Sequence, residues 1–267
     1  MSERIDGPGF RVRDRIFGEQ RDGPVVSIAY RPGWELVWSD EFSTPGRPDP
    51  AKWSIQTGPA SWPEVQHYID DPEHVRVEGG HLVLGSRRGY QGHDYTTARV
   101  TSEGKADWTY GRIEVRALLP TGNGIWPSIW MLSSAHESLG WPACGEIDIM
   151  EYLGRQPERI HGTVHTKAFN HMRKNARGGN LDLTDLPHRS FHVYAVEWFP
   201  DRIDFYVDST NYFTFFNTGN GSAEWPFDQP QYLIIKLALG GWGGKIDDSI
   251  FPLQMLVDYV RVYSARP

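Results

Sequence analysis

Residues 145–151 read Gly-Glu-Ile-Asp-Ile-Met-Glu, and this stretch predicts a β-strand lined by acids. Side chains of a flat strand alternate between its two faces, so Glu146 and Asp148 share one face while Glu151 falls on the other. A β-bulge at residues 149–150 would add one residue to the strand and return Glu151 to the face of the other two acids. The spacing therefore predicts a bulged strand that presents three carboxylates on one side.

Short runs of β-branched and aromatic residues recur along the rest of the chain, separated by Gly and Pro turn signals. Residues 191–198 alternate, which is typical of a strand with one packed face and one wetter face. No long segment shows the 3.6-residue apolar stripe of a helix. Strands are predicted at 81–86, 112–118, 128–132, 146–152, 161–165, 191–198, 203–208, 232–239 and 256–263. The predicted fold class is all-β, with two antiparallel sheets stacked as a sandwich.

The chain has 267 residues, a length that a large all-β sandwich can absorb around a single core. Residues 1–32 are rich in Arg, Asp, Gly and Pro without sustained periodicity, which indicates an extended arm. We therefore predict an N-terminal arm over residues 1–32 and one domain over residues 33–267. The single cysteine, Cys144, excludes an intrachain disulfide, so the fold must rest on its core.

The charge pattern narrows the class of partner. The formal net charge is -7 and no basic block offsets it, which removes the attraction that nucleic acid or an anionic membrane would require. No stretch approaches the ~20 apolar residues of a membrane span. We therefore expect a neutral or uncharged substrate, no nucleic acid, no membrane contact and a monomeric protein.

The three acids on one strand face repel one another, so a solvated strand face explains them poorly. A calcium site is a second reading, although its ligands usually come from several loops rather than one rigid strand. Crowding also supplies chemistry, because negative neighbours keep one Glu protonated while a hydrogen-bonded partner stays ionised as nucleophile. With the bulge, Glu146 and Glu151 are ~13 Å apart at Cα and their carboxyl groups can approach to roughly 5–6 Å. That separation favours glycoside hydrolysis with retention of configuration.

The chain has eleven tryptophans and an aromatic content of 13%, and many of these aromatic residues lie beside Gly or Pro. Large aromatic residues are often half-buried core residues, but rings on loops also bind ligands. Sugar faces stack on aromatic rings while sugar hydroxyls bond to polar rims. Trp126, Trp130 and Trp141 are therefore candidate sugar-binding residues, with Trp130 also a candidate for the core.

The acidic strand resembles the E-x-D-x-x-E signature of glycoside hydrolase family 16, and ordered matches extend from about residue 34 to residue 263. The resemblance implies a β-jelly-roll whose concave sheet carries the substrate cleft, so that residues 33–267 form the catalytic domain. It also implies that Glu146 is the nucleophile, Asp148 the assisting residue and Glu151 the general acid/base. The extra residue before the second Glu resembles the laminarinase branch. The matches include 38–42 (WSDEF), 110–112 (YGR), 124–132 (GIWPSIWML) and 257–263 (VDYVRVY).

The same resemblance implies roles for further residues. His165 would lie near the acid/base on the leaving-group side, Arg99 would reach the glycone subsites, and Glu64 and Gln66 would contact glycone hydroxyls. The resemblance implies no cofactor for catalysis. It does imply a structural calcium ion away from the cleft, bound by the Asp258 side chain and by backbone carbonyl groups near Glu41 and Gly80.

Two residues depart from the family pattern. Pro63 and Lys236 stand where laminarinases usually place Asn. A lysine in the cleft would tolerate an anionic sugar, which keeps a galactan hydrolase as an alternative.

The resulting prediction is an endo-acting retaining hydrolase of β-1,3-glucan, of the laminarin type. The alternatives are a hydrolase of agarose, porphyran or carrageenan, a glucan transglycosylase on the same scaffold, and a lectin without catalysis. A lectin has no use for a paired acid and nucleophile, which disfavours that class. Secretion is expected because the polymer is too large to enter a cell, although the N-terminus shows no apolar export signal.

Overall fold

The structure, a computed structural model, describes residues 33–61 and 63–266. The arm predicted over residues 1–32 lies outside the described residues. In chain order the strands are β1 (Trp34–Asp40), β2 (Ser54–Ile55), β3 (Gly58–Pro59), β4 (His67–Tyr68), β5 (Val75–Glu78), β6 (His81–Tyr90), β7 (His93–Thr97), β8 (Arg99–Thr101), β9 (Gly111–Leu118), β10 (Ile125–Ser133), β11 (Glu146–Tyr152), β12 (Arg159–His165), β13 (Arg177–Asp182), β14 (His192–Trp198), β15 (Arg202–Val207), β16 (Thr210–Phe216), β17 (Gln231–Leu239) and β18 (Leu253–Ala265).

Helical structure in the described range is short. It consists of α1 (His136–Leu139) and three 3₁₀ turns, at His171–Arg173, Gly241–Gly243 and Asp248–Ile250. No helix of the described residues combines the length and the apolar character that crossing a membrane requires.

The strands form two sheets. The larger sheet has eleven strands in the order β16-β15-β14-β9-β18-β6-β7-β4-β3, with β1 beside β18 and β5 beside β6. The smaller sheet has seven strands in the order β13-β12-β11-β10-β17-β8-β2. The β4–β7 pair is parallel, and the other described strand pairs are antiparallel. The predicted all-β sandwich of two sheets is confirmed.

The hydrophobic core lies between the inner faces of the two sheets. Ile113 and Val115 of β9 belong to it from the larger sheet, and Ile147 and Ile235 belong to it from β11 and β17. All four are fully buried. Burying an aliphatic side chain of this size contributes about 1.5–3 kcal/mol to folding. Because alternate residues of the smaller sheet face this core, the remaining residues of β10, β11, β12 and β17 are left for the opposite, outer face.

All nine predicted strands coincide with observed strands, with ends that differ by at most four residues. The other nine strands, β13 and β16 among them, were not singled out from the sequence. β13 reads Arg-Gly-Gly-Asn-Leu-Asp, a composition with low strand propensity. Its glycines are required by packing, since a Cβ at Gly178 would meet the Gly162 carbonyl oxygen at 2.5 Å and a Cβ at Gly179 would meet Phe213 at 2.7 Å.

Candidate active site

The acidic strand β11 carries the predicted bulge. Against β10, Ile129 pairs with Met150 and Trp130 pairs with Asp148, so Ile149 has no Cα partner. Ile149 and Met150 are both buried in the core, at 1% and 0% exposure. Two consecutive side chains on one face are what a bulge produces, and the following residue therefore returns to the outer face.

The bulge brings the three acids together. Glu146, Asp148 and Glu151 line one cavity of about 590 Å³ on the outer face of the smaller sheet. One oxygen or nitrogen atom from each of Glu146, Asp148 and His165 lie within 4.8 Å of one another. The cavity is also lined by Pro63, Trp126, Ser128, Trp130, Thr163, His171, Ala176, Lys236 and Trp242.

Two indole rings hold the two glutamates. The Trp141 Nε1–H donates to Glu146 Oε2 at 2.9 Å, and the Trp126 Nε1–H donates to Glu151 Oε1 at 3.0 Å. Each hydrogen bond fixes a carboxyl group in one orientation and favours its charged form. Of these two predicted sugar-binding residues, Trp126 lines the cavity and Trp141 is not among the lining residues, and the stacking of either ring on sugar stays a prediction.

Asp148 and His165 form the centre of the cluster. Asp148 is 4% exposed, and its Oδ2 lies 3.2 Å from the Nε2 of His165. The same nitrogen lies 3.9 Å from Glu146 Oε1. Strand register explains the contact, because Glu146 of β11 pairs with His165 of β12. The resemblance predicted His165 near Glu151, whereas its nearest acidic neighbours are Asp148 and Glu146.

Burial dominates the titration of this cluster. It raises the pKa of Glu146, Asp148 and Glu151 well above the ordinary carboxyl range, and the charge of Asp148 raises the pKa of both glutamates further. The positive charge of His165 acts in the opposite direction on both glutamates. Carboxyl groups with such pKa values keep protons near neutral pH. The cluster can therefore combine a proton donor with an ionised carboxylate.

Trp130 lines the cavity and packs against cationic side chains. The Arg99 guanidinium lies 5.3 Å from the centre of the Trp130 ring, and the Lys236 ammonium lies 5.4 Å from it. Arg99 is not among the residues that line the cavity. Arg99 of β8 pairs in register with Lys236 of β17, so it lies on the cleft face of the sheet one strand beyond Lys236, and its role at the glycone subsites stays a prediction.

Glu64 and Gln66, which the resemblance places against glycone hydroxyls, take part in a network of internal hydrogen bonds, and their contact with sugar stays a prediction. Gln66 is 2% exposed, and its amide group donates to Glu64 Oε2 at 2.7 Å and to the Tyr68 hydroxyl at 2.9 Å. Its carbonyl oxygen accepts from the Leu239 N–H at 2.9 Å. Gln66 is thus occupied internally and orients Glu64, which forms an ion pair with the cleft residue Lys236.

The comparisons with known proteins agree with this geometry. Residues 64–261 match the model of glycosyl hydrolases family 16. The chain belongs to this family. A beta-glucanase of Rhodothermus marinus is 49% identical over 246 residues, which cover 87% of this chain and 86% of the relative.

Solved structures of family 16 share the fold. The laminarinase from Rhodothermus marinus superimposes with a TM-score of 0.84 at 48% identity, covering 88% of this chain and 98% of that one. A non-specific endo-beta-1,3(4)-glucanase from family GH16 gives a TM-score of 0.83 at 45% identity, covering 90% and 94%. The β-jelly-roll expected from the resemblance is confirmed, and the chain is a glycosidase.

The cavity residues that were not predicted from the sequence include two with aromatic rings, Trp242 and His171. Trp242 lies in the 3₁₀ turn at Gly241–Gly243, is 41% exposed, and packs edge-on to Trp126 with 6.0 Å between ring centres. Trp242 stands between two glycines, and a position beside Gly or Pro is the same sequence feature that indicated the other candidate sugar-binding tryptophans. His171 packs against Trp141 at 4.9 Å between ring centres, and no sequence signal distinguishes it from a surface histidine.

The predicted calcium ligands lie in the larger sheet and its turns. Asp258 of β18 is 4% exposed, and its Oδ2 accepts from Arg116 at 2.6 Å. Gly80 lies in the turn between β5 and β6, and the Glu41 side chain forms a bidentate ion pair with Arg261. Calcium prefers six to eight oxygen ligands. The other Asp258 oxygen, Oδ1, lies 3.8 Å from the Nε2 of His81, and the calcium site stays a prediction.

Proposed function

We propose that this family 16 enzyme is an endo-acting, retaining hydrolase of β-1,3-glucan. The observation that carries the proposal is the bulged strand β11, which places Glu146, Asp148 and Glu151 in one cavity with a separate indole donor on each glutamate. The likeness to a beta-glucanase and to a laminarinase supports the choice of substrate.

The reaction proceeds by double displacement in this proposal. The ionised carboxylate of Glu146 attacks the anomeric carbon, while Glu151 donates its proton to the departing glycosidic oxygen. The bond between the anomeric carbon and that oxygen breaks, and a glycosyl ester on Glu146 forms. Water then attacks the anomeric carbon, Glu151 takes the proton from that water, and the ester bond breaks with net retention.

Asp148 supports the role of Glu151 as proton donor. Burial, and after it the negative charge of Asp148, raise the pKa of Glu151, as they also do for Glu146, so Glu151 keeps its proton until the leaving oxygen needs it. Burial raises the pKa of Asp148, and its interaction with Glu146 acts in the opposite direction. When Glu146 forms the ester, its negative charge is lost and the repulsion with Asp148 ends.

A neutral glucan fits the charge of the cavity better than a sulfated galactan. Lys236, which in isolation would attract a sulfate group, is already paired with Glu64. The remaining acidic groups of the lining repel anions. The galactan alternative is therefore less supported, while transfer to a sugar acceptor instead of water uses the same glycosyl ester and stays open to experiment.

We further propose that the enzyme is a monomer. We also propose that it acts outside the cell, because a polysaccharide chain is too large to enter a cell. Size-exclusion chromatography and the detection of the protein in culture medium would test these two points.

The catalytic roles are tested with Glu146→Gln and Glu151→Gln. Both amides keep the size of the side chain, so the fold should persist while hydrolysis of laminarin falls by about 10²–10⁴-fold or more. The matched control is Glu137→Gln, which changes an exposed glutamate of α1. Turnover at the wild-type level in either cleft variant would overturn the assignment.

The substrate is tested by measuring new reducing ends on laminarin, curdlan, mixed-linkage glucan, agarose and carrageenan. We expect oligosaccharides from the β-1,3-linked polymers, with products longer than one or two sugars early in the reaction, as an endo mode requires. Release from agarose or carrageenan alone would transfer the proposal to the galactan alternative.

A further inference from the structure

The ion pair between Lys236 and Glu64 adjoins the cavity that holds the catalytic acids, and Lys236 is one of the residues that line this cavity. Lys236 of β17 pairs in register with Ser128 of β10, and Ser128 pairs with Glu151 of β11. Only 10% of the Lys236 side chain and 11% of the Glu64 side chain are exposed. A charged pair this buried keeps its position and is weakly screened by salt.

Two tryptophan rings fix the ammonium group of Lys236. Its Nζ lies 5.0 Å from the centre of the Trp126 ring and 5.4 Å from the centre of the Trp130 ring, within the range of cation–π attraction. Trp126 in turn donates to Glu151. Among the described residues that line the cavity, Lys236 is the one lysine or arginine.

The acids have few other positive neighbours. Burial and the charge of His165 lower the pKa of His171, which leaves that ring neutral at neutral pH. Arg99 of β8 pairs in register with Lys236 and lies one strand farther from the acids. The titratable and charged groups that face Glu146 and Asp148 are Cys144 and Glu151 on the same segment, His165 on β12, His171 in its 3₁₀ turn, Lys236 on β17, and Glu64 and Arg99 behind Lys236.

We propose that Lys236 is a positioning residue that holds the Glu146–Asp148 pair in its ionised state, and that Glu64 limits this effect by pairing with the same ammonium group. The proposal rests on the proposed function, in which ionised Glu146 is the nucleophile. It stands on the cavity that Lys236 shares with both acids, and on Trp130, whose ring lies 5.4 Å from the Lys236 ammonium and which pairs in register with Asp148. In support of it, the charge of Lys236 lowers the pKa of both Glu146 and Asp148 against the effect of burial.

The two members of the ion pair should therefore shift the pH profile in opposite directions. Lys236→Met removes the positive charge, so the carboxyl pKa values rise and the acid limb of kcat/KM on laminarin moves to higher pH by about 1 unit. Glu64→Gln removes the neutralising partner, so the same limb moves to lower pH. Lys236→Arg keeps the charge and should restore the wild-type limb, although KM changes.

The control is Lys105→Met, which removes an exposed lysine away from the cleft and should leave the profile unchanged. A packing role alone would change KM or stability in both variants without opposite shifts of the acid limb. Shifts of Lys236→Met and Glu64→Gln in the same direction, or no shift in either, would overturn the proposal.

A second measurement separates this proposal from the catalytic assignment. Carboxyl ¹³C NMR titration of the full chain, with the Glu146 signal assigned through Glu146→Gln, reads the cluster without turnover. If Glu146→Gln stays active, the nucleophile assignment fails, yet the titration still decides the role of Lys236. Equal titration midpoints for the Glu146 signal in wild type and Lys236→Met would contradict the inference about Lys236 by itself.

Discussion

At the scale of single residues, the catalytic acids oppose folding. The unfolded chain exposes Glu151 to water, where a glutamate has a pKa of about 4.3. In the folded enzyme, burial and the charge of Asp148 raise the pKa of the same group. Below the unfolded pKa both states are protonated and no penalty arises. As pH rises from there toward the folded pKa, the penalty grows, because folding must either retain a proton or bury a charge.

This linkage gives a stability prediction for Glu151→Gln. The amide keeps an oxygen that accepts from Trp126 and cannot ionise, so the variant should melt at a higher temperature than wild type near neutral pH. The gain should be about 2–4 °C per kcal/mol of relief and should vanish near pH ~4. Thermal unfolding followed by circular dichroism across this pH range provides the measurement. With Glu137→Gln as control, a gain that does not depend on pH would exclude the linkage.

Single residues also show where prediction from sequence ends. Glu146, Asp148 and Glu151 were placed together correctly because strand alternation and one extra residue determine their face. Gln66 was expected at the cleft surface, but its amide group is satisfied by neighbours that only the folded chain brings together.

At the scale of elements, strand β11 depends on its bulge for both packing and catalysis. Met150 is fully buried, and the consecutive core positions of Ile149 and Met150 are what turn Glu151 outward. Deleting Met150 leaves the sequence Glu-Ile-Asp-Ile-Glu, in which simple alternation again places three acids on one face. The deletion variant therefore keeps all three acids on one face while it changes the distance between Glu151 and the other two.

We expect the Met150 deletion to give a folded enzyme of low activity. Loss of a buried methionine side chain costs about 2–5 kcal/mol, which lowers the melting temperature. Glu151 would shift along the strand, and a displacement of ~1 Å costs on the order of a hundredfold in rate. Circular dichroism and kcat/KM on laminarin measure the two effects, with Met150→Ala as the control that keeps the bulge. If the deletion variant matched Met150→Ala in activity, the bulge would have no role in placing the acid/base.

The elements differ in how well local sequence predicts them. Strands with β-branched and aromatic residues, such as β14 and β17, follow from their own composition. β13 does not, because its two glycines have low strand propensity and its conformation depends on pairing with β12. The bulge in β11 was predicted from the spacing of its acids, but its physical cause, the burial of Ile149 and Met150 side by side in the core, is visible only in the structure.

At the scale of the whole molecule, the sheets were predictable and their connections were not. Alternating strands identify a sandwich, but the cavity also needs Pro63 and the turn at Gly241–Gly243 on the same face. An isolated β-bridge between Glu64 and Gly240 and the hydrogen bond from the Leu239 N–H to Gln66 join these two segments, which are far apart in sequence. Sequence periodicity contains no information about such a contact, so Trp242 and the Lys236–Glu64 pair emerged only from the structure.

The predicted calcium ion would raise the stability of the whole domain without taking part in the catalytic reaction. An ion that binds only the folded chain stabilises it by mass action, by about 2.7 kcal/mol at a concentration 100 times Kd, or roughly 5–10 °C in Tm. Chelator should lower Tm, added calcium should restore it, and magnesium should not, because it demands a stricter ligand geometry. In Asp258→Asn this response of Tm to calcium and chelator should disappear.

The competing arrangement is the Arg116–Asp258 ion pair, which neutralises the carboxylate without any metal. If that pair alone serves the site, Tm will be the same with chelator and with calcium, and the calcium prediction is wrong.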